Sequence, residues 1–212
     1  MTAALVIFTL TYLSISVGWL RFLHLDRPAA ALCGAVAMVA AGVLDVDAAL
    51  GAIDLHVIVL LFGVMVIAAY LIEARFFRYT AWLVLTRTRS ARSLLWSLVL
   101  VAGGLSALLV NDTVCLVLTP LVVAVVAEAD LPPLPYLFAL AGAANVGGVV
   151  SFSGNPQNMM IGRAAAGDPG YAAYLIRALP AGAVALVVLA AVLTLLFRRE
   201  LPAGPLPPRT AP

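Results

Sequence analysis

The sequence predicts an all-α polytopic membrane protein, and three observations carry that prediction. Hydrophobic residues make up 64% of the chain and charged ones only 10%, for a mean hydropathy of +1.12. Several apolar stretches approach the roughly 20 residues that a helix needs to cross a bilayer. Two of these stretches are interrupted by short polar islands, Asn111-Asp112-Thr113 and Ser151-Phe152-Ser153-Gly154-Asn155-Pro156-Gln157-Asn158. An ordinary soluble domain is excluded. A net charge of +2 gives no case for nucleic acid as a partner.

The first span covers about 3–20. No basic segment precedes it and no small-residue cleavage site follows, so it reads as a retained span and not as a removed signal peptide. After a basic loop at 21–28, Pro28 suits the first turn of the next helix, where its missing amide proton costs nothing. That helix, about 29–44, is rich in Ala and Gly, which let helices approach closely. An acidic loop follows with Asp45, Asp47 and Asp54. The third span, about 55–72, ends at Glu73, where a connector begins that carries Arg75, Arg78, Arg87, Arg89 and Arg92. Within it, 79–86 is too short to span and reads as an interfacial helix anchored by Trp82.

Residues 93–128 form two apolar arms around Asn111-Asp112-Thr113. Two readings fit: two full spans joined by a tight turn, or a re-entrant hairpin that returns to the side it entered from. Arg-rich short loops stay cytoplasmic, which sets the N-terminus outside and the 75–92 connector inside. With a re-entrant hairpin, the helix at 136–162 crosses outward and the span at 181–197 crosses back. Arg198 and Arg199 then fall inside, as the rule requires. The semi-polar stretch 163–180 reads as a loop plus a short amphipathic helix. The tail 199–212 is Pro-rich and reads as a disordered end.

The second island is a helix break. Pro156 removes an amide donor and Gly154 adds backbone freedom. Irregular backbone at membrane depth is tolerated where it lines a cavity, so a binding site is expected there; a plain Pro/Gly hinge with capping side chains is the alternative. Gly147 and Gly148 before it allow close approach, and Asn145 adds an amide. Asp112 is the one acid well inside an apolar segment. A charge there costs about 2.5–3.5 kcal/mol on insertion scales and usually marks ion or proton handling; the alternative is a surface turn. Asn111, Asp112 and Thr113 supply hard oxygen ligands of the kind that suit Na⁺. Half-helix ends at such breaks also direct amides toward an anion and carbonyls toward a cation. Cys33 and Cys115 lack metal-ligand spacing and read as small core residues, while His24 and His56 read as segment-end residues that snorkel or cap. No HExxH, GxSxG or P-loop pattern is present, so an enzyme or an ATP-driven pump is not indicated.

The segments NDTVCLVLTPLV (111–122), PYLFALAGAANVGGVVSFSGNPQNMMIG (135–162) and LHVIVLLFGVMVIAAYLIEARFF (55–77) resemble the ion transporter superfamily. The likeness is to its citrate-transporter-like and arsenite permease/Na⁺–H⁺ antiporter members, which are similar to dicarboxylate/Na⁺ symporters. That resemblance implies one inverted-repeat half, the N-terminal one, of an elevator-type carrier. Residues 1–92 would be scaffold-type helices and 93–162 the transport-type region, with a re-entrant hairpin at 93–128 and a broken helix at 136–162. Residues 163–198 would hold the amphipathic segment and the last span.

The implied function is secondary transport of a small anion, a carboxylate such as citrate or an oxyanion such as arsenite, coupled to Na⁺ or H⁺ with no other cofactor. The substrate and ion site would draw on Asn111, Asp112, Thr113, Asn145, Gly147, Gly148, Ser151, Ser153, Gly154, Asn155, Pro156, Gln157 and Asn158. The symporters carry Ser-Asn-Thr at the hairpin tip. Asp112 departs from that pattern and leans toward H⁺ coupling or a different anion. A single repeat is half of the expected site, so a second membrane chain, a homo-oligomer or a shortened gene is implied. The alternative is a non-transporting subunit that scaffolds a partner. The expected location is the bilayer of a bacterial inner membrane.

Overall fold

The computed structural model describes residues 2–17, 26–165, 170–201 and 204. His24, Asp168 and residues 202–203 and 205–212 of the Pro-rich tail lie outside the described residues. The chain divides into two compact units, Met1–Leu55 and His56–Pro212.

In the first unit, α1 (Thr2–Val17) packs on α2 (Arg27–Ala40), and a short α3 (Val46–Gly51) follows. Asp26 caps α2 by accepting from the Ala29 amide at 2.9 Å, with Pro28 in the first turn. At the other end of α2, Gly42 takes φ +66°. Its amide bonds the Val39 carbonyl and the Val43 amide bonds that of Met38, a Schellman stop that favours glycine in the left-handed position. Asp45 then caps α3 through the Ala48 amide. Gly34 lets α1 and α2 touch, because a methyl group there would run into the Thr11 side chain. Many of the large apolar side chains, among them Leu5, Phe8, Leu32 and Val36, are exposed, as suits a surface solvated by hydrocarbon.

The second unit holds α4 (Leu55–Glu73), α5 (Phe76–Arg87), α6 (Ala91–Leu108), α7 (Asn111–Glu128), α8 (Pro133–Gly148), α9 (Pro156–Ala164) and α10 (Tyr171–Leu196). A single 3₁₀ turn, Phe152–Gly154, lies between α8 and α9. Long apolar helical segments among the described residues are Val46–Glu73, α6, α7 and α10, each long enough to cross a membrane. A capping box made by Ser90 and Ser93 starts α6.

Side-chain contacts fix the helix directions. Tyr136, near the start of α8, donates to the Ala91 carbonyl at the start of α6 (3.0 Å), and Ser106 donates to the Ala144 carbonyl near both ends (2.6 Å). Helices α6 and α8 therefore run in the same direction. Helix α7 starts beside the end of α8, and its Leu118, Val122 and Val126 share a groove with Leu94, Leu98 and Tyr136, so it runs back toward their beginnings. Helix α10 also runs back: Gly182 meets Val150, Leu186 meets Gly103 and Leu189 meets Gly142, while the Trp96 indole donates to Thr194 (3.1 Å).

Two boundaries differ from the sequence reading: the stretch 45–54, expected as an acidic loop, holds α3, and the last long helix begins early. Helix α10 starts at Tyr171 and runs through Pro180 as one 26-residue element, where a short amphipathic helix followed by a separate span at 181–197 is expected. Proline removes one intrahelical bond and kinks the helix, but does not end it when flanking turns are held by packing. Here the first turns are held by Tyr171 and Tyr174, described next.

Candidate functional site

The two polar islands meet. Helix α6 ends at Leu108, and the buried pair Leu109 and Val110 turns the chain into α7. No side chain of the preceding residue caps α7. Instead the Asn111 side chain does two jobs at the tip: Oδ1 accepts from the Asp112 amide (2.9 Å) and Nδ2 donates to Asn145 Oδ1 on α8 (3.3 Å). Asn145 in turn donates to the Ala141 carbonyl (2.8 Å), which fixes its amide orientation. Asp112 follows in the first turn of α7 with its side chain exposed, and Thr113 is half-buried beside it.

Helix α8 stops at Gly148 and the chain restarts as a helix at Pro156. Three backbones are brought together there by glycine. A methyl on Gly147 would run into the Gly103 carbonyl of α6, and one on Gly154 into the Gly148 carbonyl. A methyl on Gly148 would lie 3.1 Å from the Gly154 carbonyl oxygen and 3.3 Å from Asn111 Cβ. Gly148 thus stands between the hairpin tip and the break, and no side chain can be added there without pushing the two apart.

A helix that ends away from water leaves carbonyls that need donors. The break supplies them from its own side chains. Asn158 Nδ2 reaches the carbonyls of Gly148 (3.2 Å), Val149 (3.2 Å) and Ser151 (2.9 Å). Asn155 Nδ2 adds a second donor to Gly148 (3.3 Å), and Asn155 Oδ1 caps α9 at the Asn158 amide (2.7 Å). Ser151 and Ser153 share a hydroxyl hydrogen bond (3.3 Å). Gln157 is exposed, and Pro156 occupies the first helical position of α9.

The structure therefore brings Asn111, Asn145, Gly147, Gly148, Ser151, Ser153, Gly154, Asn155 and Asn158 into one continuous patch, with Asp112 and Thr113 beginning α7 at its edge. It commits the amides of Asn155 and Asn158 to backbone carbonyls. Among the described residues no three His, Cys, Asp or Glu side chains cluster as metal ligands.

Sequence reasoning missed four contributors. Gly103 and Ser106 hold α6 against α8. Tyr171 and Tyr174 reach the break from α10: the Tyr174 hydroxyl donates to the Val149 carbonyl (2.8 Å), and the Tyr171 hydroxyl bonds Ser153 Oγ (3.2 Å). The available signal was a Ser beside a Gly pair in an apolar helix and two Tyr spaced to share one helix face.

Both breaks and their surroundings match a known family: residues 3–207 fit the citrate transporter family. The chain belongs to that family. It is a family of transporters and not of enzymes. Among its relatives, the silicon efflux transporter LSI3 of Oryza sativa subsp. japonica is 38% identical over 183 residues, 86% of this chain and 37% of that protein. A 46 kDa membrane protein of Mycobacterium leprae is 31% identical over 200 residues, 92% of this chain and 45% of the other. A Dictyostelium discoideum protein bearing the name arsB is 31% identical over 144 residues, 68% of this chain and 26% of that one. The chain spans less than half the length of each.

Proposed function

We propose that this chain forms one half of a secondary carrier for a small anion, coupled to H⁺ or Na⁺. The observation that carries this reading is the meeting of hairpin tip and broken helix at Gly148. The start of α7 presents the positive end of a helix, which favours an anion. Asp112 already stands in that first turn, so its carboxylate competes with an anionic substrate. A proton or Na⁺ that neutralises Asp112, with Asn111 and Thr113 as neighbouring oxygens, would remove that repulsion, and the anion would bind only once the ion is in place. This gives a physical basis for coupling. Citrate, arsenite and, from the rice relative, silicon in its oxyacid form are the substrates to try first.

Helix α10 supports a re-entrant hairpin. The break meets α10 from Tyr171 to Gly182, and about 21 Å of α10 continues beyond Gly182 at 1.5 Å per residue. In the re-entrant reading the tip, which packs beside the break, sits within the membrane thickness. In this reading the N-terminus is outside, the arginine-rich 75–92 connector is inside, the first five helices act as scaffold, and the hairpin moves with α8 and α9. The exposed faces of Asp112 and Asn145 would be covered by a second repeat, from a longer polypeptide, a partner chain or another copy.

Uptake into proteoliposomes tests the reading. The Asp112→Asn variant should reconstitute normally and lose ion-coupled flux of the substrate that the parent moves. Unchanged flux in that variant would overturn the assignment. A purified parent that carries no flux and binds no anion or Na⁺ would instead identify a scaffolding subunit, whereas recovery of a second, homologous membrane chain in a pull-down would support the split carrier.

A further inference from the structure

We propose that Tyr171 and Tyr174 form a latch that positions the loop of the broken helix, an assignment distinct from any ligand-contacting residue above. Three carbonyl oxygens, those of Gly148, Val149 and Ser151, lie within 3.2 Å of Asn158 Nδ2. A side-chain amide has only two hydrogens, so Asn158 cannot serve all three at once. The Tyr174 hydroxyl resolves the shortage. Its bond to the Val149 carbonyl, at 2.8 Å, is the shortest that the three oxygens receive, and it frees Asn158 for Gly148 and Ser151.

The same tyrosine carries a second contact. The Phe152 ring stacks on Tyr174 with centroids 4.2 Å apart and planes 20° apart, and meets Tyr171 edge-on at 6.0 Å. Behind it, a methyl on Gly162 would strike that Phe152 ring, so the ring is held between α9 and α10. Further along the loop, Tyr171 bonds Ser153 Oγ, which bonds Ser151 Oγ. Tyr171 and Tyr174 are three residues apart, hence on one face of α10, and between them they grip the loop at Val149, Phe152 and Ser153.

Helix α10 also packs on α6 and α8 through Leu186 and Leu189. The latch thereby ties the loop to the helices that carry the hairpin tip, so that loop and tip keep their spacing as a unit. The functional side of this proposal rests on the carrier reading; the latch itself does not.

The experiment uses the full chain in lipid nanodiscs and proteoliposomes, with Tyr174→Phe, which keeps the ring and removes the hydroxyl, and Tyr174→Leu, which removes both. Backbone hydrogen exchange over residues 149–158 should quicken by roughly three- to tenfold in Tyr174→Phe, the factor expected for one lost hydrogen bond. It should quicken further in Tyr174→Leu, while peptides from α6 stay unchanged. In uptake assays with citrate, arsenite and silicic acid, Tyr174→Phe should raise KM several-fold and leave kcat within about twofold, as expected for a displaced binding loop. Unchanged exchange in both variants would overturn the latch. Faster exchange with unchanged KM would overturn its positioning role. A parent protein that moves none of the three substrates would count against the carrier reading, and exchange alone would then decide the latch.

Discussion

The hairpin tip and the broken helix are both interruptions of apolar helices, yet they are built in opposite ways. The tip turns on two apolar residues, Leu109 and Val110, and relies on the single side chain of Asn111 for its polar contacts. At the break, the carbonyls of Gly148, Val149 and Ser151 are met by Asn155, Asn158 and Tyr174. The difference follows from which helix ends lie there. At the break α8 presents terminal carbonyls that need donors, and in a membrane each unmet one is expensive. The tip closes in so few residues that its leading polar groups stay at the edge of the unit. A dense polar motif in a membrane helix can therefore be devoted largely to its own backbone, while a sparse one leaves a charged group facing outward.

The largest expected effect lies where the two regions touch. Gly147→Val would force a branched side chain into the Gly103 carbonyl, backbone that cannot move aside cheaply. Overpacking of this kind costs about 3 kcal/mol or more. Thermal unfolding in detergent should show a strongly lowered midpoint or no folded protein; a midpoint near that of the parent would mean that α6 and α8 do not approach as closely as described.

Next in size is Asn158→Ala, which removes the donor to the Gly148 and Ser151 carbonyls. Leaving buried acceptors unmet costs about 1–3 kcal/mol each, and Asn155 and Tyr174 cover part of the loss, so about 2 kcal/mol is expected. Asn111→Ala at the tip should cost less, about 1 kcal/mol, since it removes a long bond to Asn145 and a local one from the Asp112 amide, both at exposed positions. Chemical denaturation of both variants would measure the ratio. Equal losses would mean that the tip is as tightly built as the break.

Much of this arrangement is legible in the sequence, because it is local. Pro156 and Gly154 mark the break, Pro28 marks the start of α2, and the apolar lengths mark the long helices. The distribution of roles within SFSGNPQN is not legible. Whether an Asn donates to a ligand or to the carbonyl ten residues before it depends on where the chain doubles back, and no local pattern encodes that. The start of α10 is hidden for a related reason. Pro180 and Arg177 suggest that the span begins late, but the contacts of Tyr171 and Tyr174 with a loop some 20 residues earlier hold the extra turns.

The sharpest separation of the two regions comes from the smallest stability change. Asp112 is exposed in the first turn of α7, and Asp112→Asn keeps its shape. Loss of a carboxylate near a helix N-terminus weakens the dipole interaction by about 0.3–1 kcal/mol, which should barely move the unfolding midpoint. If the tip carries the coupling chemistry and the break mainly carries structure, this variant keeps its fold and loses ion-coupled flux, whereas Asn158→Ala loses both in proportion. The reverse pattern, with full flux in Asp112→Asn and stable but inactive Asn158→Ala, would move the chemistry from the tip to the break.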